Sequence, residues 1–285
     1  MPIKKTDERY NEVRAFYGAD GMEVKGCAFD GEYALNDIAA VSASDTAFSA
    51  SCPLWYDKSV LLENCTVSES ARGALWYSKN VVVNGGKISG ARAVRECEKV
   101  TVRDCEISSA EFGWSTDGVM LIRSNVKSEY FLRGAKNIYA QECEIKGKYA
   151  LQYVSGAHIV NCKIDSVDAL WHAENVLLES CVIVGERLGA HSKNLTFKRC
   201  TVVGTMPLCY CKGLKLIDCV LAEADGAFEK SEVKCNLLDD VKSIRNPYKG
   251  VIVVPGVGDI IRDDSKSKAA IMIDPDMKRK PEIGG

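Results

Sequence analysis

The chain has 285 residues, 46% of them hydrophobic, and its 37 basic and 39 acidic side chains leave a net charge of −2. So even a balance gives no electrostatic reason to bind nucleic acid, and no apolar run is long enough to cross a bilayer. The first nine residues lack the apolar stretch of a signal peptide, so a cytoplasmic location is expected.

From the N-terminus onward one register recurs. Cys27, Thr46, Cys65, Gly86, Cys105, Ser124, Cys143, Cys162, Cys181, Cys200 and Cys219 follow each other at 19 residues, with one step of 21 after Cys65. Self-similarity of this kind sets the architecture ahead of any local propensity. Five residues before the register stand Val60, Val81, Val100, Val119 and Val176, and three before it stand Leu62, Val83, Val102, Leu121 and Leu178. Two after it stand Val67, Ile88, Ile107, Val126, Ile145, Ile164 and Ile183. Apolar, β-branched residues at a spacing of two read as strands, and no helical period competes. Residues 53–56, 74–77, 150–153 and 169–172 read as a third short strand in each copy.

Three short strands in 19 residues leave room only for tight corners. The expected fold is all-β: a single-stranded, right-handed parallel β-helix of eleven coils over residues 10–230. One domain is expected over residues 1–265 with N- and C-terminal caps, followed by a partly disordered tail over 266–285. Asn80, Asn137, Asn175 and Asn194, alternating with Gly118, Gly156 and Gly213, mark a corner that turns through positive φ. The two-residue insertion falls in residues 68–72, a corner where loops can grow.

Thirteen cysteines are an odd number, and Ser, Gly or Thr takes the place of some in the register. Such swaps suit small buried hydrophobes and would ruin a disulfide framework, so reduced thiols in a reducing compartment are expected. A line of single thiols does not converge on a point as zinc ligands do, so no metal and no cofactor is expected, Cys209 and Cys211 included.

Function-like chemistry gathers in one column: Trp55, Trp76, Arg95, Trp114, Arg133, Gln152 and Trp171. Strand alternation sends this column outward, where indole faces can stack on sugars and guanidinium forks can grip carboxylates. The neighbouring column, with Tyr56, Tyr77, His172, His191 and Tyr210, is expected to turn inward or to lie at a corner. Glu111 and Glu129 lie on adjacent coils, within the roughly 5–9.5 Å of a glycosidase pair, and with Arg95 form the candidate catalytic set.

The strings Cys-Pro-Leu-Trp-Tyr (52–56), Ala-Leu-Trp-Tyr-Ser-Lys-Asn (74–80), Ala-Val-Arg-Glu-Cys (93–97), Glu-Phe-Gly-Trp (111–114), Ala-Leu-Trp-His-Ala-Glu-Asn (169–175) and Pro-Leu-Cys-Tyr-Cys-Lys (207–212) carry a resemblance. The chain resembles domain-of-unknown-function family 3737, uncharacterised bacterial proteins, over residues 8 to 265. The resemblance implies a right-handed β-helix similar to the pectin-lyase-like superfamily and implies no activity. The resulting expectation is a protein that binds an elongated, carbohydrate or anionic ligand along the outward Trp/Arg face. The alternative is a non-catalytic scaffold that docks a protein partner on the same face. If it is an enzyme, a carbohydrate-active lyase or hydrolase is expected.

Overall fold

The structure is a computed structural model that describes residues 1–278. The chain is a parallel β-solenoid of about 14 turns with a repeat near 19 residues. It divides into two compact units, Met1–Ala150 and Leu151–Gly285.

In the first unit Ile3–Thr6, Met22–Lys25, Val41–Ser44, Val60–Val67, Lys79–Ile88, Glu98–Arg103, Asp117–Ile122 and Lys136–Gln141 stack as parallel rungs. Like lies on like, as Val60 pairs with Val81, Val81 with Val100, Val100 with Val119 and Val119 with Ile138. Period-two alternation holds here: Val119 and Leu121 are buried while Met120 between them is exposed. A second stack carries Ile88, Ile107, Val126 and Ile145 in register. Near the N-terminal end it is filled by Phe29 and Phe48, stacked at 5.4 Å.

The second unit repeats the plan. Ser155–Val160, Glu174–Glu179, Lys193–Lys198, Leu214–Ala222, Glu232–Leu237, Lys249–Val254 and Ala270–Ile273 are its rungs. Ile164, Ile183, Val202 and Leu221 line its second stack. A 3-10 turn over Pro275–Met277 is the one helical element among the described residues.

The coils exceed the expected eleven because the thiol register is not what makes a coil. Ile3–Thr6 adds a rung before it, and Glu232 pairs with Lys249 at a step of 17 residues, outside the 19-residue comb. Within the tail expected from residue 266, Ala270–Ile273 pairs with Val251–Val254, and residues 279–285 lie outside the described residues.

The third short strand is not a strand. Leu54, Leu75, Val94, Leu132, Leu151, Leu170 and Leu208 all take positive φ, and so do Tyr56, Tyr77, Glu96, Tyr153, His172 and Tyr210 two residues on. The segment is an arc that alternates left-handed and extended residues. Its amides bond alternately to the coil before and the coil after, as Leu54 N–H to Ala34 C=O and Tyr56 N–H to Trp76 C=O, both at 3.0 Å. A left-handed bulky residue costs about 1–2 kcal/mol. Full burial of the leucine, worth about 1.5–3 kcal/mol, offsets it. The expected burial of Leu75, Val94, Leu132, Leu151 and Leu170 holds, each being no more than 1% exposed.

The Asn/Gly corner also holds, with φ between 49° and 56° at Asn80, Asn137, Asn175 and Asn194, and 66° to 75° at Gly118, Gly156 and Gly213. All thirteen cysteines are free thiols, and every one but Cys52 is buried. Their sulfurs donate to carbonyls two residues back, as Cys105 to Arg103 and Cys143 to Gln141 at 3.1 Å. Burial pushes the Cys105 thiol up to about 11, so it stays protonated and inert.

Candidate functional site: a ladder of rings and guanidinium groups

The arc decides where the Trp/Arg column points. Between two left-handed residues the middle one lies against its counterparts on adjacent coils, half-buried rather than outward. Trp55, Trp76, Arg95, Trp114 and Arg133 are all intermediate in exposure. Trp55 and Trp76 stack face to face at 4.9 Å and 4°. The Arg95 guanidinium lies between Trp76 and Trp114, 5.4 and 5.3 Å from their ring centroids. Arg133 follows, 5.0 Å from Trp114 and 5.5 Å from Tyr130, and Tyr130 stacks on Tyr149 at 5.2 Å. The column is a ladder in which each planar group uses its faces on its neighbours.

The rims are tied as well. Trp55 donates its indole N–H to the Gly73 carbonyl, and Trp76 donates to Arg92 at 2.7 Å. Gly73 has φ of 72°, and a Cβ there would meet the Trp76 ring at 3.2 Å, so glycine is required beside the stacked indoles. Arg95 is ion-paired with Glu96 at 3.1 Å and with Glu111 at 3.7 Å. Glu111 also meets Arg92 at 3.4 Å. Glu129 is exposed, and among the described residues no side-chain bond positions it. Gln152, expected outward, is buried and donates to the Asp168 carbonyl at 3.2 Å. Trp171 stands at 36% exposure in the second unit.

The Tyr/His column, expected inward or at a corner, is on the outside. Left-handed backbone at Tyr56, Tyr77, His172, His191 and Tyr210 turns these side chains out, where they stack ring on ring. Tyr56 and Tyr77 stack at 4.9 Å in the first unit. Tyr153, His172, His191 and Tyr210 form a continuous pile in the second, at 5.2, 5.2 and 4.7 Å.

One buried column escaped the sequence reading. Asp57, Ser78, Cys97 and Thr116 in the first unit, and Ser192, Cys211 and Ser231 in the second, follow the arcs and face the core. Ser78, Ser192 and Ser231 donate to the carbonyls of Leu54, Leu170 and Leu208 at 2.6–2.8 Å. They also accept the amides of Asp57, Ala173 and Cys211. Asp57 puts a carboxyl where the others have a hydroxyl or thiol. Its Oδ1 accepts the Ile38 amide at 2.8 Å, while Oδ2 is buried with no partner. Burial pushes its pKa up to about 8. The 19-residue alignment of Asp57 with small polar residues was the available signal.

Among the described residues no cluster of His, Cys, Asp or Glu could hold a metal ion, and no helix is long and apolar enough to cross a membrane. No curated protein and no solved structure matches the chain. One family model does, described as a protein of unknown function, DUF3737, and it covers residues 4–273. With nearly the whole solenoid inside that match, the chain belongs to the DUF3737 family.

Proposed function

We propose that this protein is a binding solenoid that meets an elongated acidic carbohydrate along the face running from Trp55 to Arg133. The supporting observation is the clamping of Arg95 and Arg133, each held 5.0–5.5 Å from two ring centroids. A guanidinium fixed before the ligand arrives avoids the ordering cost, about 0.5–1.5 kcal/mol per immobilised side chain, that binding otherwise meets. The two forks are two coils apart, roughly 9.6 Å at 4.8 Å per coil, which suits acidic groups repeating along a chain. Glu96 and Glu111 already display the pose of a carboxylate on Arg95.

Contact is edge-on. Sugar stacking on the indoles of Trp76 and Trp114 has no open face to use, because rings and guanidinium groups cover both sides. Catalysis by Glu111, Glu129 and Arg95 is the weaker reading, since the Glu111 carboxylate is taken up by Arg92 and Arg95. Docking of a protein partner is the second reading, favoured by the Trp55–Trp76 and Tyr56–Tyr77 stacks that extend the face with rings.

Calorimetric titration with a long oligogalacturonate tests the proposal. Binding is expected, weakened at least tenfold, about 1.4 kcal/mol, by Arg133→Ala. Equal affinity for a neutral oligosaccharide, or indifference to Arg133→Ala, overturns it.

A further inference from the structure

The ladder lapses within the second unit. The register that holds Trp171 passes next to Ala190 and then to Cys209, neither of which carries a ring or a guanidinium, and Phe228 beyond them is fully buried. A trough of about 270 Å³ lies there. Ala190 and the buried Cys209 form its floor and Trp171 one end. Asp168, Arg187 and Met206, three residues before the ladder register, stand on one side; His191 and Tyr210, one residue after it, stand on the other.

Trp171 differs from the tryptophans of the first unit. Its ring neighbours Tyr153, His172 and His191 meet it at 41°, 34° and 49°, so among the described residues none stacks flat on it. Its indole N–H has no hydrogen-bond partner among the described residues, whereas those of Trp55 and Trp76 are tied to carbonyls. An indole with an open face and an open N–H, beside empty rung positions, is a stacking site without its occupant.

Charge decides which planar group fits. Arg187 grips Asp168 through two bonds of 2.8 and 2.9 Å, and Glu186 lies 3.7 Å from the same guanidinium. One cation therefore faces two carboxylates. Burial, and then the neighbouring His172, hold the His191 imidazole below its usual range, so it adds no positive charge at neutral pH. The face of an indole itself attracts cations. In the first unit the planar group set between two tryptophans is a guanidinium, that of Arg95.

We propose that this trough binds a planar organic cation, an amidinium, guanidinium or cationic heteroaromatic ring, which completes the ladder by stacking on Trp171 above Ala190. Its N–H groups or positive edge meet the carboxylates of Asp168 and Glu186, and Met206 and Tyr210 enclose its apolar part. The site shares no residue with the Arg95–Arg133 face of the first unit, so each stands or falls by itself.

Benzamidine is the probe, and the three histidines of the chain, His158, His172 and His191, report the site by imidazole NMR without any substitution. The His191 signals are expected to shift saturably while those of His158 stay in place. Benzoate, of the same shape and opposite charge, is expected to bind at least tenfold more weakly. Trp171→Ala and Ala190→Trp, the latter rebuilding the missing rung, are each expected to weaken benzamidine binding at least tenfold. An unshifted His158 signal certifies that a variant is folded. No saturable His191 shift, benzoate binding as tight as benzamidine, or undiminished binding by a folded variant overturns the proposal. Should Ala190→Trp fail to fold, the native titration and Trp171→Ala decide.

Discussion

Trp76 and Trp171 occupy one register of one repeat, each directly after a fully buried leucine, yet their surroundings are opposite. Trp76 has an indole on one face at 4.9 Å, a guanidinium on the other at 5.4 Å, and its N–H on a carbonyl. Trp171 has only tilted neighbours and an unbonded N–H among the described residues. In a solenoid, what a side chain can do is set by the residues one coil away in each direction, about 4.8 Å off, more than by its own segment. The first unit supplies partners on both sides of Trp76, and the second supplies Ala190.

The largest expected effect tests what the two regions share. Leu75→Ala and Leu170→Ala each remove a fully buried side chain beneath a tryptophan. Each should cost about 2–5 kcal/mol by chemical denaturation, and a cost under about 1 kcal/mol in either would show that the arcs are not core. Next comes the ladder. Trp114→Ala loses contacts with both Arg95 and Arg133 as well as half-buried surface, so a loss of about 1–3 kcal/mol is expected, well above that of an ordinary surface change.

Acid–base behaviour should separate the units too. Asp57 in the first occupies the column that Ser192, Cys211 and Ser231 hold in the second. Its folded pKa, about 8, lies above the unfolded value near 4. Its contribution to stability is therefore fully present below pH 4 and is lost as pH rises towards 8, at no more than about 1.4 kcal/mol per pH unit. Asp57→Asn keeps the oxygen that accepts the Ile38 amide, and denaturation across pH 4–8 should show a flatter profile and a more stable protein at neutral pH. An unchanged slope would mean that the carboxyl is solvated. The smallest effect belongs to the open tryptophan, since Trp171→Ala should shift stability by only about 0.5 kcal/mol.

Much of this was legible in the residues. The 19-residue comb gave the rungs, and Asn and Gly gave one corner, because both signals express constraints that few residue types satisfy. The arcs were not legible, because Leu54, Leu75 and Tyr77 are residues that ordinarily avoid positive φ. Alternation applied to an assumed strand therefore sent the Trp/Arg column out and the Tyr/His column in. Gln152 failed for the same reason. The rungs after Cys219 went uncounted because the 17-residue step from Glu232 to Lys249 falls outside the comb. The lapse at Ala190 and Cys209 was visible in the column itself, but its meaning required knowing that the flanking rings stack on one another.

A double-mutant cycle between Arg95 and Trp114, read by denaturant unfolding, tests the ladder most directly. Mutual stacking predicts a coupling free energy of about 0.5–2 kcal/mol, whereas strictly additive losses would contradict the closed ladder and return the indole faces to solvent.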